Sequence, residues 1–124
     1  MIYLIDDDKS VRRGFGMFLK SAGYDYTSFE SAENFLDMFK PVNGDLIVLD
    51  LSLPGMNGCD LVRKFSEEGY HVPIIVVTSL DDSGSRGLCR KFGVKAFLRK
   101  PVDGEALIDL IKYHLQPESL KAEA

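Results

Sequence analysis

Four apolar runs in this chain end on side chains that can do chemistry together. Ile2 to Ile5 runs into Asp6-Asp7-Asp8, Leu46 to Leu49 ends on Asp50, Ile74 to Val77 ends on Thr78-Ser79, and Ala96 to Leu98 leads into Arg99-Lys100-Pro101. Carboxylates packed together repel one another and stay ionised at neutral pH only beside a cation. Asp6, Asp7, Asp8 and Asp50 therefore predict a hard divalent ion held by oxygens, and Mg²⁺ is the natural candidate. Mg²⁺ keeps several waters and shares its shell with phosphate oxygens, which leaves room for a phosphoryl group. Lys100 is suited to neutralise one phosphoryl oxygen, and Thr78 to donate a hydrogen bond to another. Each residue also has a plainer reading: Asp50 as a turn former, Asp8 as a helix cap, Thr78 as a β-branched strand end, Lys100 as a surface charge. Their coincidence at four strand ends favours a site.

The elements that must position them alternate along the chain, which argues for an α/β domain with a parallel sheet and about five strands and five helices. Leu46 to Leu49, bounded by Gly44-Asp45 and Pro54-Gly55, has the unbroken apolar pattern of a strand buried on both faces. Ile74 to Val77 has the same pattern and opens at Pro73. Asp8 is a natural N-cap for a helix that buries Val11, Phe15, Phe18, Leu19 and Ala22 and ends at Gly23. Tyr24 to Ser28 is a short strand. Ser31 caps a second helix carrying Phe35, Leu36 and Phe39, which Pro41 stops. Asn57 caps a third, with Asp60 three residues on and Leu61, Val62 and Phe65 inward, closed by Gly69. The segment Asp81 to Phe92 is helical by the alternation, yet Gly84 and Gly87 each cost about 1 kcal/mol against Ala, so it is short or mobile. Asp103 caps a last helix with Ala106, Leu107, Leu110, Ile111 and Leu115 inward. Right-handed crossovers bring all four chemical strand ends to one edge, and ligands bind outside that carboxyl edge in open parallel sheets.

Composition bounds the function. The 124 residues fit one domain, and 45% hydrophobic with 27% charged residues is ordinary for a globule. No apolar run reaches a membrane span, and the opening residues carry no basic leader, so a cytoplasmic protein is expected. A net charge of -4 gives no footprint for direct nucleic-acid binding. Cys59 and Cys89 lie in unlike contexts and read as free thiols; His71 and His114 stand alone and read as structural or solvated.

The motifs Leu4-Ile5-Asp6-Asp7-Asp8, Leu49-Asp50-Leu51-Ser52-Leu53-Pro54-Gly55-Met56-Asn57-Gly58, Val76-Val77-Thr78-Ser79 and Leu98-Arg99-Lys100-Pro101 resemble, in order, those of response-regulator receiver domains of the CheY type. The resemblance spans Ile2 to about Leu115. It implies a doubly wound, flavodoxin-like five-stranded sheet of order 2-1-3-4-5 with five helices on its two faces. Residues 1–116 would form the receiver domain and 117–124 a tail or the start of a linker. Asp50 would be the phosphoacceptor, taking its phosphoryl group from a histidine kinase or histidine phosphotransfer protein, and the only reactions catalysed would be its own phosphorylation and dephosphorylation. Asp7, Asp50 and the backbone carbonyl of Ser52 would bind Mg²⁺, with Asp6 reaching it through water. Thr78 and Lys100 would contact phosphoryl oxygens, and the Lys100-Pro101 bond would be cis. Phe97 fills the position of the family's aromatic switch residue. The surface of the fourth helix, fifth strand and last helix would then switch, serving a phosphorylation-dependent homodimer or an effector. Asn57 stands where the family often has an acidic residue, and Val102 where it has Phe; the second departure bears on how the last helix docks.

Two positions flank the route of the hydrolytic water in this family, and here they are Ser52 and Leu80. Fast members carry amide or acidic side chains there, so a short Ser52 and an apolar Leu80 imply slow autodephosphorylation. A second resemblance competes. Asp6-x-Asp8-x-Ser10 after an apolar strand is similar to the nucleophile motif of haloacid-dehalogenase-type phosphatases, with Asp6 as nucleophile and Asp8 as general acid and base. Against it, the acidic metal motif expected after the Lys is absent, Asp103 and Glu105 read as a helix start, no cap fits the length, and Asp50 has no role.

Overall fold

The computed structural model describes residues 1–38, 42, 44–53, 55–56, 58–79, 87 and 89–115. Strands β1 Ile2–Ile5, β2 Tyr26–Phe29, β3 Leu46–Leu49, β4 Ile74–Thr78 and β5 Ala96–Arg99 form one parallel sheet in the order β2-β1-β3-β4-β5. Helices α1 Lys9–Ser21, α2 Ala32–Met38 and α3 Gly58–Glu67 follow the first three strands. Residues 87 and 89–91 are helical and are labelled α4; α5 is Gly104–His114. The doubly wound order is the one the motifs imply.

Strand alternation splits the core in two, because successive side chains point to opposite faces. Tyr3, Ile5, Ile47, Leu49, Ile74 and Val76 join Phe35, Leu61, Val62 and Phe65 of α2 and α3 on one face. Ile2, Leu4, Leu46, Val48, Ile75 and Val77 join Phe15 and Leu19 of α1 and Leu107 and Ile111 of α5 on the other. Every residue of β1, β3 and β4 is buried, while β5 lies at an edge and is half-exposed. Full burial of such side chains stabilises by roughly 1.5–3 kcal/mol each, so a polar residue anywhere in β3 would break the sheet at its centre.

Local chemistry sets the helix starts. The Asp8 carboxylate accepts from the amides of Ser10 and Val11, Ser31 Oγ accepts from the Asn34 amide, and Asp103 accepts from Glu105. Several expectations need correction. β2 begins at Tyr26 rather than Tyr24. Phe18 is 47% exposed and Ala22 is exposed as the C-cap residue of α1, so neither joins the core. Phe18 instead lies across Gly104 of α5, where a Cβ would collide with its ring; it packs helix against helix, beside the sheet rather than on it. On α5 Gly104, Leu107 and Ile111 are buried and Leu110 and Leu115 pack half-buried against the same core, as expected, while Ala106 is half-buried. Phe39, Pro41, Pro54, Asn57 and residues 80–86, 88 and 116–124 lie outside the described residues, and with them the expectations for the Pro54 turn, the Asn57 cap, Leu80, most of the helix expected over Asp81 to Phe92 and the C-terminal tail.

Candidate functional site

Sheet register carries the chemical residues to one edge. Ile5 pairs with Leu49, so Asp6 and Asp50 leave adjacent strand ends together, and the Asp50 amide donates to the Ile5 carbonyl at 3.0 Å. Thr78 pairs with Arg99 at the end of β4, and the Lys100 amide donates to the Thr78 carbonyl at 3.0 Å. The Lys100-Pro101 bond is cis, as the resemblance implies. Asp6 is 1% exposed, and Asp50 and Thr78 are 5% exposed; Asp7 is exposed, and Lys100 is half-buried. Asp6, Asp50 and Thr78 are therefore largely withdrawn from water at this edge, while Asp7 stays open to it.

Within it the polar groups satisfy one another. Lys100 Nζ donates to Asp6 Oδ2 at 2.8 Å and to Asp50 Oδ2 at 3.0 Å. The second oxygens are also used: the Asp8 amide donates to Asp6 Oδ1 and the Ser52 amide to Asp50 Oδ1. Burial lifts Asp6 above the ordinary carboxylate range, outweighing the lowering by Lys100 and by the Asp8 amide. Burial also pulls Lys100 down, but its hydrogen bonds to Asp6 and Asp50 outweigh that and leave it raised, so it stays charged.

Oxygens of Asp6, Asp7 and Asp50 all lie within 4.8 Å of one another. Three hard oxygen donors, one of them open to solvent, fit a Mg²⁺ ion that keeps part of its water shell. Phe97 is half-buried on β5 against the α2–α3 face of the core, with the Arg90 guanidinium 5.5 Å from its ring centre. His71 is exposed, and His114 meets Tyr113 edge-on at 5.0 Å. Among the described residues no helix is long and apolar enough to cross a membrane.

Residues 2–112 match the family described as the response regulator receiver domain. The chain belongs to that family. The receiver domain is 34% identical to the transcriptional regulatory protein FixJ of Azorhizobium caulinodans, over 92% of this chain and 54% of that protein. It superposes with a TM-score of 0.85 on a response regulator receiver domain protein (CheY-like) from Methanospirillum hungatei JF-1, 25% identical, covering 99% of this chain and 97% of that one. Full-length FixJ from B. japonicum also gives 0.85, at 30% identity over 95% of this chain and 60% of that one. The chain spans about half the length of the first curated relatives it matches. It is thus the receiver domain of a two-component response regulator.

Sequence reasoning missed residues that hold this receiver domain's site in shape. Arg12 Nη1 donates to the Asp6 carbonyl at 2.7 Å, bracing the end of β1 from one turn into α1. Glu33 of α2 accepts from the Met56 amide at 3.3 Å and so holds the loop after Asp50 from outside. A Cβ on Gly58 would lie 2.7 Å from both the Asp50 carbonyl oxygen and Leu51 Cα, so the start of α3 packs against the phosphoacceptor candidate's own backbone. Only Gly58 carried a signal, as the last residue of its motif. Cys59 and Cys89 are free thiols, as read from the sequence, and lie with their sulfurs 3.6 Å apart.

Proposed function

We propose that this receiver domain accepts a phosphoryl group on Asp50 from the phosphohistidine of a histidine kinase or histidine phosphotransfer protein. The observation that carries it is the Lys100 ammonium shared between Asp50 and Asp6 at a buried strand end. An oxygen of Asp50 attacks phosphorus, the bond from phosphorus to the histidine nitrogen breaks, and an acyl phosphate forms. Little covalent chemistry falls to the protein in such a transfer; it orients the groups and neutralises charge. Lys100 is already at the acceptor and exchanges carboxylate partners for phosphoryl oxygens, while Thr78, buried at the neighbouring strand end, donates its hydroxyl to another oxygen. Asp7, Asp50 and the Ser52 carbonyl would hold Mg²⁺, with Asp6 reached through water. When bound, the ion offsets the negative charge that Asp6, Asp7 and Asp50 would otherwise present to an anionic phosphoryl group.

The added group carries nearly two negative charges and three acceptor oxygens. Thr78 moves toward it, Phe97 turns into the space beside Thr78, and the surface of α4, β5 and α5 changes with them. That surface is our candidate for a phosphorylation-dependent homodimer or effector contact. On this reading residues 1–116 are the receiver, 117–124 a tail or linker, the domain works in the cytoplasm, its catalysis is confined to its own phosphorylation and dephosphorylation, and it binds no nucleic acid itself.

Acetyl phosphate with Mg²⁺ is the test. One phosphoryl group per chain is expected, lost with EDTA and lost in Asp50→Asn. The phosphatase alternative, with Asp6 as nucleophile, requires the reverse: labelling that survives in Asp50→Asn and vanishes in Asp6→Asn.

A further inference from the structure

We propose that Cys59 and Cys89 are a redox-responsive pair whose disulfide ties the first turn of α3 to α4. The two sulfurs, thirty residues apart in sequence, are free thiols 3.6 Å from each other. A disulfide bond is about 2.0 Å long, so the pair closes by side-chain rotation rather than by moving a helix through the core. The two thiols differ in a way that assigns their roles. Cys59 is half-buried and is the sulfur an oxidant reaches; Cys89 is 1% exposed and is reached from Cys59.

The oxidant class is a peroxide. Its O–O bond breaks, the Cys59 thiol becomes a sulfenic acid, and hydrogen peroxide leaves one water. The Cys89 sulfur then attacks the Cys59 sulfur, the S–O bond breaks, and the Cys89 proton leaves with the departing hydroxide as a second water. Two thiols are oxidised to one disulfide and one peroxide is reduced to two waters.

What the bond would join gives it consequence. The first turn of α3 is fixed to the end of β3: the Gly58 amide donates to the Leu51 carbonyl at 3.1 Å, against the backbone of Asp50. At the other side the Cys89 carbonyl accepts from the Val94 amide at 3.1 Å, at the turn that feeds β5. A Cys59–Cys89 bond therefore fastens the segment leading into β5 to the segment that follows Asp50.

Reduced full chain is treated with hydrogen peroxide, alkylated under denaturing conditions and mapped as peptides. The expected product is a monomer lighter by two hydrogen atoms, with the Cys59 and Cys89 peptides joined, restored by dithiothreitol, and with slower amide exchange across residues 89–99. Cys59→Ser should leave Cys89 reduced, and Cys89→Ser should leave Cys59 as a sulfenic or sulfinic acid. Should Cys89→Ser fail to fold, the peptide map of the parent chain decides alone. Sulfinic Cys59 in the parent chain with no joined peptide, or linkage only between separate chains, overturns the proposal; unchanged amide exchange in the joined form overturns the coupling to α4. None of these readouts involves phosphorylation, so the pair stands or falls independently of Asp50.

Discussion

Lys100 Nζ lies 3.0 Å from Asp50 Oδ2 and 2.8 Å from Asp6 Oδ2, so one ammonium bridges two carboxylates that are themselves nearly inaccessible to water. Such a cation is both a brace and a competitor. It neutralises charge that the fold would otherwise bury unpaired, and it competes for carboxylates that a metal ion would use.

Lys100→Ala should therefore destabilise the metal-free domain by roughly 2 kcal/mol, less than for a fully buried pair because Lys100 keeps some contact with solvent. Mg²⁺ should bind the variant more tightly than the parent and recover part of that loss. Urea melts with and without Mg²⁺ check this, and a metal response equal to that of the parent contradicts it. The pH sign follows from the raised Lys100 value: its contribution is complete below the ordinary 10.5 and is lost only as pH rises through its value in the folded state.

Asp6→Asn should act oppositely, stabilising the metal-free domain at neutral pH while weakening Mg²⁺ binding. Burial raises Asp6 above the ordinary 3.8, so above its folded value the native state carries a charge that costs more folded than unfolded. As pH falls through that folded value Asp6 takes up a proton, and the advantage of the variant should shrink. A stability difference that is constant from neutral to acid pH would rule this out.

Gly58→Ala should cost about 1–3 kcal/mol, the range for overpacking, because the added Cβ meets the Asp50 carbonyl and the Leu51 backbone rather than a flexible side chain. Phosphorylation by acetyl phosphate should slow as well, since the strain falls on Asp50 itself. A parent-like urea midpoint together with a parent-like labelling rate would show that the two segments separate easily.

The fold was legible because burial pattern and punctuation agreed. β3 is apolar at every position and β4 at every position before Thr78, and Asp8, Ser31 and Asp103 cap the helices they precede. The site was legible for a related reason: parallel strands end at one edge, so Asp6, Asp50, Thr78 and Lys100 could be gathered from strand ends alone. Contacts set by helix packing were not. Phe18 satisfies the helical period yet lies outside the core, because the period names a stripe and not its edges. Arg12, Glu33 and the Cys59–Cys89 contact depend on how loops and helices sit against one another, and no spacing in the sequence encodes that.

The lifetime of the phosphorylated state should respond to Ser52 and to Leu80, the second of which lies outside the described residues. Ser52→Asn combined with Leu80→Glu should accelerate phosphoryl loss by roughly tenfold, the scale of a 1.4 kcal/mol change in barrier, by supplying groups that orient the attacking water. Decay at the parent rate, followed by loss of label after removal of acetyl phosphate, would show that these side chains do not control the water.

Locating the phosphoryl group decides whether Asp50 is the acceptor. The chain is phosphorylated with acetyl phosphate and Mg²⁺, the acyl phosphate is trapped by borohydride reduction, and the peptides are sequenced by mass spectrometry. Reduction is expected at Asp50 alone, at up to one site per chain. Reduction at Asp6, or at any carboxylate other than Asp50, would contradict it.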